Sequence, residues 1–314
     1  MSDATGSHIP VMLEEVMAVL NPRDGAIYVD GTFGGGSYSE ALLSRARCTV
    51  YGIDRDLDAI ARGRSLGERY AGRLTLIHGR FSEMDVLLAE RGVERADGIA
   101  LDLGVSSFQF DIGERGFSFG HDGPLDMRMD PEGPVTAADL VNTMSGDQLE
   151  RIFRQLGEEP AARKVAAKLV RERMVQSFTT TRQLAEAVEG VIPRRGRANP
   201  ATRIFQALRI AVNRELEVLE EGLAAITSRL APGGRFAVIT FHSLEDRIVK
   251  TFFKHRAAEF IDRPEWPAPR PNPDYCFKLL NNKPIVASEA EQRANPRSRS
   301  AKLRGAQKLS HGHQ

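Results

Sequence analysis

The first hundred residues alternate short apolar runs with segments of helical period. Val11–Leu20 places its apolar residues on one helical face and stops at Asn21-Pro22. Ala26–Asp30, Thr49–Ile53, Leu74–His78 and Gly98–Leu103 are apolar runs of strand length. Between them Ser37–Arg45, Ala59–Tyr70 and Met84–Arg91 have helical spacing. Strands separated by helices of this length form β-α-β units, and the sheet they build is parallel.

The pattern then breaks. Residues 104–135 are rich in Gly, Asp and Phe and show no period, and from 139 to 214 only helices are readable. Ser145-Gly-Asp-Gln148 reads as a capping box ahead of the apolar face Leu149, Ile152, Phe153 and Leu156. Thr180-Thr-Arg-Gln183 is a second box, and Ala162–Met174 between them is a basic helix. The stripe Phe205, Leu208, Val212, Leu216, Leu219, Leu223, Ile226, Leu230 predicts one long helix or two in line, ended by Pro232-Gly233-Gly234. Alternation returns with a strand at Arg235–Phe241 and a helix at Leu244–His255, capped by Ser243 and Asp246. Residues 262–275 are Pro-rich and read as loop; Cys276–Leu280, Pro284–Ser288 and Ala301–Lys308 are short strand candidates. The expectation is an α/β core, residues 1–108 and 215–314, interrupted by an all-helical insertion at 109–214.

Composition changes this picture only in its charge. The chain has 314 residues and a net charge of +1, yet residues 161–214 hold twelve Lys/Arg against three acids, Glu172, Glu186 and Glu189. Beyond Glu291 lie six more basic residues and no acid. A neutral total therefore hides two basic regions, which points to a polyanion partner. No apolar run reaches membrane-spanning length, and the polar start MSDATGSHIP is not a secretory signal, so the chain is expected in the cytoplasm. Cys48 and Cys276 stand alone and the histidines form no H-x-x-x-H pair, so no metal is expected.

Gly31, Gly34, Gly35 and Gly36 lie where the first strand ends and a helix begins. Ligands of open parallel sheets sit beyond the carboxyl ends of the strands. A pyrophosphate there wants G-x-G-x-x-G, which Gly31-Thr-Phe-Gly34 misses, and it would be repelled by Asp30. S-adenosylmethionine carries ammonium and sulfonium charges and suits that acid. Asp54 ends the second strand, where a carboxylate accepts ribose hydroxyls. Phe81 follows the third strand, placed either against an adenine ring or in the core. Asp102 ends the fourth.

These residues carry a resemblance. His8-Ile-Pro-Val-Met-Leu13, Asp30-Gly-Thr-Phe-Gly34, Gly52-Ile-Asp-Arg-Asp56 and Leu101-Asp-Leu-Gly-Val-Ser-Ser107 are followed by Asp122-Gly-Pro-Leu-Asp-Met-Arg-Met-Asp130 and Asn199-Pro-Ala-Thr-Arg203. Phe241-His-Ser-Leu-Glu-Asp-Arg247 and Asn295-Pro-Arg-Ser-Arg299 complete the set. In this order they resemble the RsmH (MraW) family of bacterial 16S ribosomal RNA (cytosine-N4) methyltransferases. The resemblance implies a Rossmann-like class I methyltransferase sheet with an inserted helical domain, S-adenosyl-L-methionine as donor, and the exocyclic N4 of a decoding-centre (P-site) cytidine in 16S rRNA of the small ribosomal subunit as target. It implies donor contacts at Gly36, Ser37, Tyr38, Asp54, Phe81, Asp102 and Gln109; Asp30 and Gly34 join them from the loop reading. Ser37 and Tyr38 stand where the family has Gly and His.

Methylating a cytosine amine needs acceptors that polarise its N–H bonds. Asp102 and Asp126 are the main candidates, with His242 a third that either serves catalysis or braces Asp246 or a carbonyl. The base must be splayed out to be reached; Phe117 and Phe119 are stacking or core residues. Arg163, Lys164, Lys168, Arg194, Arg195, Arg197 and Arg203 are the expected phosphate contacts. A homodimer is allowed by the sequence. An alternative is an RNA-binding assembly factor that keeps the donor fold without catalysis.

Overall fold

The computed structural model describes residues 9–104, 113–194 and 199–310. The chain divides into two compact units, Met1–Gly104 with Leu216–Gln314, and Val105–Glu215.

In the first unit β1 (Ile27–Asp30), β2 (Thr49–Asp54), β3 (Leu74–His78), β4 (Ala96–Asp102) and β5 (Leu230–Thr240) pair in parallel. Between β3 and β5 the order is β3-β2-β1-β4-β5. The sheet continues through β10 (Lys302–Lys308), antiparallel to β5, to β8 (Phe277–Leu279) and β9 (Ile285–Val286) on its far edge. β6 (Phe260–Ile261) and β7 (Arg270–Pro271) form a separate hairpin. β1 has β2 on one side and β4 on the other, so strand order reverses there. That reversal opens the crevice in which α/β sheets hold ligands.

Side chains alternate across the sheet into two cores. Tyr28, Val50, Ala100, Ala237 and Ile239 pack with α1 (Leu13–Leu20) and α2 (Ser37–Arg45). Val29, Ile53, Ile77, Ile99, Leu101, Phe236 and Val238 face the other way. They meet α5 (Met84–Ala89), α11 (Glu215–Arg229) and α12 (Ser243–Arg256). Burial on both faces is why these strands read as near-continuous apolar runs. α3 (Leu57–Arg62), α4 (Arg64–Arg69) and α13 (Glu289–Ala294) complete the helices of this unit.

The second unit is helical: α6 (Ala137–Thr143), α7 (Gly146–Gln155), α8 (Ala162–Arg173), α9 (Thr181–Glu189) and α10 (Thr202–Asn213). Leu149, Phe153, Val165, Leu169, Leu184 and Leu208 lie in its core. Both expected capping boxes form, at Ser145/Gln148 and Thr180/Gln183, with a third at Thr136/Asp139. No described helix is long and apolar enough to cross a membrane.

Three differences from the sequence reading stand out. The helix expected over Ala59–Tyr70 is parted into α3 and α4 at Gly63, a site with no room for a Cβ beside the Phe33 ring. Of the two readings of the long apolar stripe, the structure shows two helices, parted at Arg214, which takes φ 50°. α12 is capped one residue earlier than expected, by His242 with Glu245. Part of the Pro-rich loop is the β6–β7 hairpin, where Arg263 and Arg270 stand 5.0 and 4.7 Å from the Trp266 ring.

Asp246, freed from capping, reaches β10: it accepts from Arg304 Nε at 2.8 Å and Lys302 Nζ at 3.1 Å. Burial alone would raise its carboxyl, but the bonds from Arg304 and Lys302 outweigh it and hold it below the usual range. Removing one partner of a buried pair leaves the other charge uncompensated, at a cost of about 3 kcal/mol. Urea unfolding at pH 7 should show that deficit for Asp246→Asn. A native carboxyl with a depressed pKa loses its stabilising effect as pH falls through that value, so the deficit should narrow in acid.

Candidate active site

The glycine loop is stitched to both neighbouring strands by backbone bonds. Gly31 N–H donates to Ala100 O at 2.9 Å and Phe33 N–H to Ile53 O at 2.9 Å. Asp102 N–H donates to Thr32 Oγ1 at 2.6 Å. Gly34 and Gly36 take φ 53° and 78°, a region that glycine enters without strain, and α2 then starts at Ser37 with no glycine needed there. The glycines serve a second end. A Cβ on Gly36, Gly52 or Gly63 would lie 2.7, 2.6 or 2.5 Å from the Phe33 ring. Three glycines thus form a socket for one buried aromatic beneath the loop.

Above that socket three strands deliver carboxylates. Asp54 Oδ2 accepts from Gly34 N–H at 2.7 Å and Oδ1 from Asp56 N–H at 2.8 Å. Each oxygen keeps a free lone pair for a ligand hydroxyl. Asp30 is wholly buried; its Oδ2 accepts from Ser39 Oγ at 2.8 Å, the Thr32 backbone N–H also favours its anion, and its Oδ1 makes no well-formed hydrogen bond among the described residues. Asp102 Oδ1 accepts from Gly104 N–H at 3.2 Å, and Oδ2 from the Tyr38 hydroxyl at 3.3 Å. Burial pushes the Asp30 carboxyl up to about 7 and that of Asp102 up to about 6, and raises that of Asp54. Asp54 and Asp102 also repel charge on Asp30. Arg297 pulls Asp102 the other way. An unpaired buried acceptor among acids disfavoured as anions is a receptor for a cation.

The remaining candidates divide. Phe81 is half-buried, its ring held close over Gly222 and its Cβ beside Gly31. Ser37 is half-buried at the start of α2. The side chain of Tyr38, expected among the donor contacts, is packed in the core with its hydroxyl held by Val11 O and Asp102. His242 Nδ1 accepts from Glu245 N–H at 3.4 Å and Nε2 lies 3.0 Å from Glu245 Oε1. The imidazole therefore caps α12 beside Glu245, not Asp246, and its buried Nε2 makes no hydrogen bond among the described residues.

In the helical unit Asp126 is closed by Arg128, which donates from Nε at 2.9 Å, Nη2 at 2.7 Å and its backbone N–H at 2.9 Å. Such a bidentate clasp organises the loop and leaves a poor proton acceptor. Phe117 is core, and Phe119 packs edge-on against Phe205 at 5.1 Å, so neither ring is free to stack on a base. Lys168 pairs with Glu172 at 3.4 Å, and Arg203 donates to Glu158 O at 3.2 Å. Arg163, Lys164 and Arg194 are exposed and make no ion pair among the described residues. Arg171, absent from the expected set, is exposed on the same helix as Arg163 and Lys164. Gln109, Arg195 and Arg197 lie outside the described residues.

Sequence reasoning found the three strand-end acids but missed Ser39 and Arg297. Ser39 lies one turn into α2, where only its contact with Asp30 marks it. Arg297 sits in the Asn295–Arg299 string, where it reads only as one of the six basic residues beyond Glu291.

Comparison with known proteins gives consistent relatives. The MraW methylase family matches residues 5–309. The chain is similar to "Ribosomal RNA small subunit methyltransferase H" of Paramagnetospirillum magneticum, 54% identical over 303 residues and 95% of each chain. It is 52% identical over 310 residues to the protein of that name in Rhodospirillum centenum, covering 98% of this chain and 94% of that one. A solved structure, a putative rRNA-methylase from Clostridium thermocellum, aligns over 96% of this chain and 99% of that one, with 14% identity and a TM-score of 0.45.

Asp30 sets a pH test of the free protein. Its folded value near 7 lies above the unfolded one, so its contribution to stability is present in acid and lost as pH rises through about 7. Asp30→Asn cannot ionise. Without ligand, its Tm should match the wild type only below about pH 4, draw ahead progressively as pH rises towards 7, and exceed it by about 2–4 °C at pH 8, read by calorimetry. A variant less stable than wild type at pH 8 would contradict this account.

Proposed function

The chain belongs to the MraW methylase family, and from that premise we propose that it methylates the exocyclic N4 of a decoding-centre cytidine in 16S rRNA of the small ribosomal subunit. The observation that carries the reading is the rim of Asp30, Asp54 and Asp102 beyond the sheet, with a buried oxygen of Asp30 lacking a partner. These residues fit S-adenosylmethionine. Asp54 keeps lone pairs for the ribose hydroxyls, Asp30 and Asp102 suit positive charge, and Phe81 stands beside the third strand for the adenine. When bound, the donor supplies an electrophilic methyl group on a sulfonium sulfur.

The protein's own part is positioning and proton handling. The cytosine amine is a weak nucleophile because its lone pair is delocalised into the ring. Asp102 accepts a hydrogen bond from the amine, aligns it, and takes the proton that the nitrogen sheds as it gains the methyl group, its carboxylate becoming neutral. With its carboxyl near 6, Asp102 is mostly ionised at neutral pH yet basic enough to matter. Asp126 is disfavoured for this role, because Arg128 already occupies it, and His242 is kept as a second candidate through its unbonded Nε2. Arg163 and Lys164 on α8, with Arg194, meet phosphates of the RNA and give salt-dependent affinity with little sequence readout.

Methyl transfer from radiolabelled S-adenosylmethionine to unmodified 30S subunits tests the reading, with the nucleoside identified by mass spectrometry. N4-methylcytidine is the expected product. Asp102→Asn should lower kcat by about 10²–10⁴-fold. Arg163→Ala with Lys164→Ala should raise KM and reduce the slope of log affinity against log salt by about 1.4–1.8. Donor binding without any incorporation would overturn the enzymatic reading in favour of an RNA-binding assembly factor.

A further inference from the structure

The Tyr38 hydroxyl joins three pieces of the first unit. It donates to Val11 O at 2.5 Å and stands 3.3 Å from Asp102 Oδ2, so its single proton is shared between a backbone carbonyl and a strand-end carboxylate. The carbonyl belongs to a tightly held segment. Met12 N–H donates to Glu291 Oε1 at 2.7 Å, and Asn295 Nδ2 donates to Ile9 O at 2.9 Å. Val11 and Met12 are buried, and Met12 takes φ 51°, a strained region for a residue with a side chain. The ring of Tyr38 is itself packed in the core. The hydroxyl therefore has a fixed place, and Asp102 is the one member of the carboxylate rim that it touches.

We propose that Tyr38 is a positioning residue for Asp102: its hydroxyl ties the carboxylate to the Ile9–Met12 segment, fixing the acid's rotamer and favouring its ionised form. This rests on the reading of Asp102 as a residue of the donor site. The Tyr38 hydroxyl acts through Asp102. The other charged groups that face Asp102 are Asp30 on β1, Glu245 on α12 and Arg297 in the turn Pro296–Ser300. The two acids oppose its ionisation and the arginine favours it. None of the three is altered by removing a hydroxyl, so a change in the titration of Asp102 would report Tyr38.

Tyr38→Phe keeps the ring and removes only the oxygen. The readout is the affinity for S-adenosylhomocysteine from pH 5 to 8, by calorimetry and without RNA, beside Asp102→Asn and with the melting temperature of each protein as a check on folding. Affinity in the wild type should weaken as pH falls and Asp102 protonates. In Tyr38→Phe the weakening should begin at higher pH, because a carboxylate that loses a donor ionises less readily. Affinity at pH 7 should be lower by about tenfold. Asp102→Asn should remove the step near pH 6 and leave the one that Asp30 sets near 7, and Tyr38→Phe added to it should change nothing further. If Asp102→Asn removes that step while Tyr38→Phe leaves it at the wild-type position, the positioning role is overturned and Asp102 stands. If Asp102→Asn leaves both affinity and profile unchanged, the reading of Asp102 falls and the role of Tyr38 with it.

Discussion

Like charges on a dry rim govern the first unit. A parallel sheet must end its strands on one side, and here the ends of β1, β2 and β4 each carry an aspartate. Burial and mutual repulsion oppose full ionisation of all three. Much of the nearby architecture answers that problem. Two backbone N–H groups are turned onto Asp54, a serine onto Asp30, and a tyrosine and a backbone N–H onto Asp102. The oxygen left over on Asp30 is where the protein's own answer stops.

Much of this was legible in the sequence because it is periodic or local. The helix Ser37–Arg45 and the strand Leu74–His78 agree with the structure to the residue. The three rim acids were readable because each ends an apolar run. What escaped depends on contacts distant in sequence. Residue 63 must be glycine because Phe33, thirty residues earlier, needs its space. His242 takes the cap because Glu245 turns back to it, while the next acid, Asp246, is drawn away by Lys302 and Arg304. Arg297 reads as one more basic tail residue until the turn at Pro296–Ser300 brings it to bear on Asp102. No pattern within a window of the chain announces such pairings.

The glycine loop shows how a functional signal and a packing signal coincide. Glycines behind a first strand suggest close approach of a ligand, and Gly34 and Gly36 do supply the positive φ that the turn needs. Yet Gly36, together with Gly52 and Gly63 from other elements, also clears the volume of the Phe33 ring. The ring in turn supports the loop from below, so that the Gly34 N–H meets Asp54. Packing and ligand geometry are one construction: the same missing Cβ atoms seat the aromatic and shape the loop.

Charge counting needs the same correction for direction. Residues 161–214 hold twelve basic side chains, but several are consumed by the helical unit itself. Arg173 donates to the carbonyls of Val141 and Met144, Arg209 clasps Glu215 with two bonds of 2.8 Å, and Lys168 and Arg203 have partners within the unit. These cations satisfy helix ends and buried acids, and counting them as RNA contacts overstates the footprint. What is left on α8 is Arg163, Lys164 and Arg171, exposed and without ion pairs among the described residues. At 3.6 residues per turn they share one face, and Arg163 and Arg171 are separated by about 12 Å along the axis. Two phosphates along a strand fit such a span, so the surviving cations form a stripe with a direction, which a net charge does not convey.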